Sequence, residues 1–166
     1  MRLYLLRHAQ AEIVAGAAPD ASRGLTENGQ REAAEVGSWL STRSEPPTHV
    51  LCSSARRAVE TMERVVAELS SKPSVSISED FYLASAWKLF EQVRGTVPDV
   101  SSLLLVAHNP GIAELAAKLS GQGDPAALRS LASRFPPATL AELEPSTAIW
   151  AALEPEGARL VAHFVL

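Results

Sequence analysis

Short apolar runs recur along the chain, and segments with helical spacing lie between them. Most of the runs are continuous rather than alternating, which favours strands that are covered on both faces of a sheet. Strands that alternate with helices are typical of a largely parallel α/β sheet. The runs predict strands at residues 2–6, 49–53, 75–77 and 102–107.

The helices between these strands carry start signals. Thr26 can cap a helix that runs to about residue 42. Asn109 as N-cap, with Pro110 at the first helical position, marks a helix after the strand at 102–107. Apolar spacing predicts two further helices, one beginning near residue 54 and one at residues 85–94.

The C-terminal part of the chain has a different pattern. The segments TLAEL (139–143), TAIWAAL (147–153) and ARLVAHFVL (158–166) are separated by turn-forming residues and predict consecutive strands. We therefore expect a meander or hairpin, with antiparallel elements near the C-terminus. The sequence shows no internal repeat and no linker of domain-boundary length, which favours one domain over residues 1–166.

Composition and charge narrow the classes of function. A chain of 166 residues with 46% hydrophobic content can bury a stable core without disulfides. The net charge of -4 leaves no basic excess, so we expect neither nucleic acid nor a membrane as partner. The single cysteine, Cys52, and an N-terminal apolar run too short for a signal peptide favour a cytoplasmic location.

Three of the apolar runs end in cationic residues. The first ends at Arg7 and His8, the second leads to Arg56 and Arg57, and the last ends at His108. In an open parallel sheet the carboxyl ends of neighbouring strands share one edge, where ligands bind, so these side chains converge if the strands are neighbours. Gathered cations require an anion, and arginine matches the oxygens of a phosphoryl group. We predict a phosphate site.

A histidine in such a site can do more than bind. Neutral imidazole can attack phosphorus and form a covalent intermediate, while arginines stabilise the charge that develops on the phosphoryl oxygens. This chemistry requires no metal and no cofactor, and the histidines of the chain lack the spacing of zinc ligands. Taken singly, Arg7, His8 and His108 would instead be surface charges at strand ends, and Arg57 a cation on a helix surface.

These residues lie in four segments that follow one another along the chain: LLRHAQAE, SRGLTENGQREA, SSARRAVETM and LLVAHNPGIAEL. The ordered set resembles the histidine phosphatase superfamily, also called the phosphoglycerate mutase-like or branch 1 group, and within it the small SixA-type phosphohistidine phosphatases. The resemblance implies a three-layer α/β/α fold with a mostly parallel central sheet. It covers residues 2–120 and matches the C-terminal strands only in general pattern.

The resemblance also implies a role for each residue of the pocket. His8 would be the nucleophile, and Arg57 rather than Arg56 would enter the pocket. Asn109, besides capping a helix, is a candidate for contact with the phosphate. The catalytic set is therefore His8, Arg7, Arg57 and His108, and the phosphate ligands are Arg7, Arg23, Arg57, His108 and Asn109.

The sequence departs from the family pattern at three places. Ala9 stands where most members have glycine, and Ser54 stands where they have proline. The general acid that many members carry after the third strand would fall at Leu83 or Ala84, and neither can donate a proton. The other acids considered, each more simply explained as a solvated loop charge, are Glu12, Asp20, Glu79 and Asp80.

The missing acid bears on the substrate. A phosphate ester leaves as an alkoxide and gains from a positioned acid, whereas the nitrogen of a phosphorylated imidazole can already be protonated when the bond breaks. We therefore expect a phosphohistidine phosphatase that acts on a signalling or phosphotransfer protein, such as a histidine-phosphotransfer domain. The alternatives are a small-molecule phosphomonoesterase, with Glu79 or Asp80 as acid, and a non-catalytic phosphate-binding module.

Overall fold

The fold is built on a seven-stranded sheet, seen in a computed structural model that describes residues 1–13 and 19–166. The order of the strands across the sheet is β3-β2-β4-β1-β6-β7-β5. The bounds of the strands are β1 Arg2–Arg7, β2 His49–Ser53, β3 Ser74–Ser78, β4 Ser102–Ala107, β5 Ser120–Gly123, β6 Leu140–Pro145 and β7 Ala158–Phe164.

The sheet has a parallel part and a mixed part. Strands β3, β2, β4 and β1 are parallel to one another. Strand β6 is antiparallel to both β1 and β7, while the short β5 is parallel to β7. The predicted α/β class, with a mostly parallel core and an antiparallel C-terminal hairpin, is confirmed.

In the part of the chain that the structure describes, five α-helices connect the strands. Thr26 caps the first helix as predicted, because its hydroxyl accepts from the Gly29 amide at 2.9 Å. Ser85 caps the third helix in the same way through the Lys88 amide. The helices are α1 Glu27–Ser41, α2 Arg56–Ala67, α3 Ala86–Arg94, α4 Gly111–Leu119 and α5 Pro125–Ser133. None of them is long and apolar enough to cross a membrane in the described ranges.

The helices lie on both faces of the sheet and form three layers with it. Successive residues of a strand point to opposite faces, so Leu3 and Leu5 pack with α3 and α4, while Tyr4 and Leu6 pack with α1 and α2. All six residues of β4 are buried, which agrees with its continuous apolar run. The central strands are therefore fixed from both sides, and so are their ends.

One prediction for a connecting segment is wrong, and two elements were not predicted. TAIWAAL forms no strand; its residues Trp150–Ala152 make a single 3₁₀ turn. Trp150 is buried there, and its indole Nε1–H donates to the Val100 carbonyl at 2.7 Å, so its burial fixes a turn where the apolar pattern indicated extension. Strand β5, with the sequence SGQG, has no apolar run to indicate it, and helix α5 was not predicted either.

The start of α4 also differs from the prediction. Pro110 occupies the N-cap position and Gly111 is the first helical residue. The side chain of Asn109 makes no cap: its Oδ1 has no hydrogen-bond partner in the described residues, and its Nδ2 donates to the Phe135 carbonyl. Asn109 is therefore available to the pocket that lies in front of this helix.

Candidate active site

The cationic residues predicted to converge do lie together. Strands β2, β4 and β1 are adjacent and parallel, so their carboxyl ends open on one edge of the sheet. A cavity of about 430 Å³ lies at that edge. It is lined by Arg7, His8, Gln10, Ala11, Asp20, Arg23, Arg57, Leu83, His108, Asn109 and Pro137.

The hydrogen bonds of His8 define its reactive atom. The ring is held by a contact of 2.8 Å between Nδ1 and the Ala9 carbonyl, and by the Arg57 Nε–H, which donates to Nε2 at 3.2 Å. A guanidinium can only donate, so Nε2 accepts and carries a lone pair, while Nδ1 carries the proton. The lone pair that can attack a substrate is thus on Nε2, where it accepts a hydrogen bond from Arg57.

The protonation of His8 is set mainly by its burial. Its pKa is lowered to about 4, mainly by burial and to a smaller extent by the charges of Arg57, Arg7 and Arg23, against the opposing effect of the hydrogen bond to the Ala9 carbonyl. The imidazole is therefore neutral at neutral pH. A neutral ring is the form that can attack phosphorus.

His108 is the second imidazole of the cavity. Its Nε2 lies 2.7 Å from the Ser53 hydroxyl, and its ring centroid is 5.1 Å from that of His8. Burial, followed by the influence of His8 and Arg57, lowers its pKa to about 3. Its Nδ1 is buried and has no hydrogen-bond partner in the described residues. It is thus a free polar atom next to the cavity.

The adjacent arginines of α2 have opposite surroundings. Arg57 is 2% exposed and reaches into the cavity, whereas Arg56 pairs with Glu60 on the helix surface at 2.6 Å. Thr61 holds this turn of the helix against the end of β1, since its hydroxyl donates to the Arg57 carbonyl and accepts from the Ala9 amide. The choice of Arg57 for the pocket agrees with this geometry.

Arg7 and Asn109 share one acceptor. The Arg7 Nη1 donates to the Phe135 carbonyl oxygen at 2.8 Å, and the Asn109 Nδ2 donates to the same oxygen at 2.9 Å. The Nε of Arg7 and the Oδ1 of Asn109 are buried without partners in the described part of the chain. Burial lowers the pKa of Arg7. The carbonyl thus orients both side chains at the cavity.

Asp20 is the largest departure from the sequence-based expectation. We expected a solvated loop charge, and the carboxylate instead lines the cavity and accepts from Arg57 Nη2 at 2.9 Å, Arg23 Nε at 2.8 Å and the Tyr82 hydroxyl at 2.8 Å. The bond from Tyr82, followed by those from the arginines, lowers its pKa to about 2. Arg23 is in the cavity as predicted, and its Nη1 also donates to the Glu12 carbonyl.

The predicted position of the missing acid also lies at the cavity. Leu83 lines it, with a φ of 48° that turns the chain sharply before α3. Gly111 permits this turn to approach α4, because a Cβ there would overlap the Ala84 carbonyl oxygen. The acids considered as substitutes, Glu79 and Asp80, are exposed and do not line the cavity, and Asp80 pairs with Lys88 at 2.7 Å.

The arrangement can bind a tetrahedral oxyanion. Three guanidinium groups face a cavity that also presents two neutral imidazoles, one of which has its lone pair on Nε2. In the described residues no group of three or more His, Cys, Asp and Glu side chains could hold a metal ion. The chemistry that these side chains themselves can supply is anion binding and nucleophilic attack.

Sequence reasoning missed three groups of this site: the Asp20 carboxylate, the Tyr82 hydroxyl and the Phe135 carbonyl. Asp20 had a usable signal, because it precedes Arg23 by three residues in the same loop. The other two groups approach from segments far away in sequence, and no local pattern indicates them.

Comparison with known proteins agrees with this geometry. Residues 3–82 match the sequence model of the histidine phosphatase superfamily (branch 1). Phosphohistidine phosphatase SixA of Escherichia coli (strain K12) is 31% identical over 125 residues, covering 72% of this chain and 74% of that protein. The chain belongs to the histidine phosphatase superfamily. The SixA-type structure from Nakamurella multipartitia matches this histidine phosphatase with a TM-score of 0.85 and 29% identity, covering 99% of this chain and 95% of that one.

A further solved structure of the superfamily holds an oxyanion. The protein histidine phosphatase SixA complexed with tungstate matches with a TM-score of 0.72 and 25% identity, covering 87% of this chain and 88% of that chain. The predicted membership, nearest to the SixA type, is thus confirmed, and so is the phosphoglycerate mutase-like fold. Together these relatives support a phosphatase.

Proposed function

We propose that this histidine phosphatase removes the phosphoryl group from phosphohistidine on a signalling or phosphotransfer protein. The observation that carries the proposal is a neutral His8 whose Nε2 lone pair faces a cavity of arginines, with Leu83 at the position where an acid would serve ester substrates. The tungstate complex of a SixA protein supports an oxyanion in the matching fold.

In the proposed reaction, His8 Nε2 attacks phosphorus in line. A bond forms between Nε2 and phosphorus, the bond to the leaving atom breaks, and its electron pair departs with the leaving group. Water then hydrolyses the phosphorylated His8 and releases phosphate. The groups that bind the phosphoryl oxygens and stabilise their charge are Arg7, Arg23, Arg57, His108 and Asn109.

The electrostatics of the cavity support this division of roles. His8 and His108 are neutral because burial lowers the pKa of each, so the fixed positive charge comes from the arginines. Charge that develops on the phosphoryl oxygens is then met by guanidinium groups that already line the cavity. Neither a metal nor a cofactor takes part in the proposed steps.

The wall of the cavity supports the choice of substrate. Leu83 is 57% exposed at the rim, and the carboxylates of Glu79 and Asp80 lie outside the lining. A leaving oxygen would find no proton donor from these groups, whereas a protonated imidazole needs none. We propose a phosphohistidine-bearing protein, such as a histidine-phosphotransfer domain, as partner. The cytoplasmic location of the histidine phosphatase itself stays a prediction.

The test compares two substrates. Phosphate release is measured from a phosphorylated histidine-phosphotransfer domain and from 4-nitrophenyl phosphate, with the wild-type chain and with His8→Ala. The proposal expects a higher kcat/KM for the phosphoprotein and loss of both activities in His8→Ala. Turnover of the aryl phosphate alone would replace it with a small-molecule phosphomonoesterase.

A second measurement separates catalysis from binding. Acid quenching is avoided because a phosphorylated imidazole is acid-labile, and the mixed protein is examined by mass spectrometry at alkaline pH. A mass increase of one phosphoryl group on the wild type, absent from His8→Ala, supports the covalent intermediate. Binding of phosphate with neither labelling nor turnover would identify a non-catalytic phosphate-binding module.

A further inference from the structure

The loop that carries Asp20 contributes a negative charge to a cavity otherwise lined by cations and neutral groups. Among the described residues that line the cavity, Asp20 is the one with a carboxylate. Its side chain is 48% exposed, so solvent and substrate can reach it, yet it is held by Arg57, Arg23 and Tyr82. Such a charge repels the phosphoryl group itself.

The contacts of Asp20 also decide what it can do chemically. The bond from Tyr82 and those from the two arginines keep the carboxylate ionised at neutral pH. It is therefore an acceptor and not a source of protons. The Tyr82 hydroxyl is committed to Asp20, and that bond raises its pKa, so this proton is retained as well.

The carboxylate lies close to the reacting atoms. Arg57 donates from Nε to His8 Nε2 and from Nη2 to Asp20 Oδ2, so one guanidinium spans the distance between the nucleophile and the carboxylate. When a phosphoryl oxygen takes the Nη2 donor, Arg23 and Tyr82 still hold Asp20 at the wall of the cavity. A leaving group attached to that phosphoryl group then departs beside an anion.

A carboxylate at this place stabilises a nitrogen leaving group and destabilises an oxygen leaving group. In a phosphorylated imidazole the bond from phosphorus to nitrogen breaks, and the nitrogen takes the electron pair. If the other ring nitrogen already carries a proton, the ring departs as neutral imidazole, and a carboxylate that accepts this N–H stabilises the protonated form. In an ester the electron pair goes to oxygen, and a neighbouring carboxylate repels the developing charge.

We propose that Asp20 is a specificity-determining residue that accepts a hydrogen bond from the protonated imidazole leaving group and disfavours oxygen leaving groups. The inference rests on the proposed function and explains how the site could select phosphohistidine without a general acid. It assigns the loop of residues 19–23 to recognition of the leaving group, while the strand ends bind the phosphoryl group.

The experiment measures a selectivity ratio on the full chain. kcat/KM is determined for phosphoimidazole and for 4-nitrophenyl phosphate with the wild type, Asp20→Asn and Asp20→Glu. The matched control is Asp80→Asn, which removes an exposed carboxylate that pairs with Lys88 outside the cavity. Thermal unfolding of every variant checks that the comparison is made on folded protein.

The expected result is a fall of about tenfold in the ratio of phosphoimidazole to aryl phosphate kcat/KM in Asp20→Asn, as for loss of one charge-assisted hydrogen bond. Asp20→Glu should recover part of that ratio, and Asp80→Asn should keep the wild-type ratio. An equal change for the two substrates, whether a loss or a gain, would overturn the inference, because Asp20 would then act only on the arginines.

The same data keep this inference apart from the proposed function. If the wild type hydrolyses phosphoimidazole and the ratio is unchanged in Asp20→Asn, the proposed function stands and the role of Asp20 is rejected. If the wild type hydrolyses aryl phosphate alone, the proposed function fails and the inference fails with it. The wild-type measurement decides between these two cases.

Discussion

The two ends of strand β1 each carry a largely buried arginine, and the surroundings of the two are opposite. Arg2 lies at one end among carboxylates, at 3.1 Å from Glu45, 3.4 Å from Glu142 and 3.9 Å from Glu144. Arg7, at the other end, donates to a main-chain carbonyl and has no carboxylate within 4 Å in the ranges that the structure describes.

The comparison separates a structural charge from a functional one. Arg2 and Glu142 neutralise each other inside the protein, so the arginine at that end of the sheet needs no external anion. The burial of Arg7 is not compensated by an acid, and its pKa is lowered by desolvation. A cation buried without a counter-ion favours binding of an external anion, and this end of the sheet is where the cavity lies.

Arg7→Met tests the functional end and should give the largest effect. Loss of one phosphoryl-binding guanidinium is expected to lower kcat/KM by about 100- to 1,000-fold. The free energy of unfolding should not fall, because an uncompensated buried charge is replaced by an apolar group of similar length. Steady-state kinetics and urea unfolding check the two expectations. A variant that loses stability and keeps activity would reverse the comparison.

Arg2→Met tests the structural end. The free energy of unfolding should fall by about 3 kcal/mol, because Glu142, which is 4% exposed, loses its nearest cation. The remaining contact of Glu142, to Arg43 at 3.9 Å, is too long to replace it. Activity of the folded fraction should equal that of the wild type. A loss of activity without a loss of stability would mean that this end also serves the reaction.

The buried His8 at the cavity end of β1 should make the free energy of unfolding depend on pH. The folded pKa of His8, about 4, lies below the value of 6.5 for an unfolded histidine. Between these values the unfolded chain binds more protons, so the stability from a neutral His8 is full above pH 6.5 and is lost as the pH falls towards 4.

His8→Asn should therefore flatten this dependence. The fall in unfolding free energy between pH 7 and pH 5 should be smaller in the variant by about 2 kcal/mol. Urea unfolding of the wild type and of His8→Asn at the two pH values measures it. Parallel curves for wild type and His8→Asn would contradict a depressed pKa at His8.

Arg159→Met gives the smallest expected effect and sharpens the comparison at the structural end. Its pair with Glu144 is short, at 2.6 Å, but both side chains are exposed. Exposed ion pairs contribute little, so the free energy of unfolding should change by less than about 0.5 kcal/mol. A change as large as that of Arg2→Met would show that the distance between the charged atoms, and not their burial, determines how much these ion pairs contribute to the free energy of unfolding.

The sequence was informative where one segment alone determined the structure. The strands β1, β2, β3 and β4 follow from apolar runs, and α1 follows from its Thr26 cap. The residues at the strand ends follow because parallel neighbours share an edge, which brings Arg7, His8 and His108 together. The strands and the helix need no knowledge of the rest of the chain, whereas the convergence of the three residues depends on β1 and β4 being neighbours.

The failures lie where distant segments meet. TAIWAAL turns because Trp150 finds an acceptor at Val100, and Asn109 leaves its helix because the Phe135 carbonyl is within reach. Asp20 enters the cavity because Arg57 comes from another element to meet it. A cap or a solvated charge is the local preference, and a tertiary partner overrode it in each case.

The Phe135 carbonyl has a consequence for genetics. Arg7 and Asn109 are oriented by a main-chain oxygen, which every amino acid supplies, so a scan that replaces each side chain in turn would leave this acceptor in place. The oxygen is held at its position by the connection between α5 and β6, in which the Phe135 side chain is buried in the core. This part of the site is therefore vulnerable to insertions and deletions in that connection and to substitutions that unseat Phe135, rather than to loss of the acceptor itself.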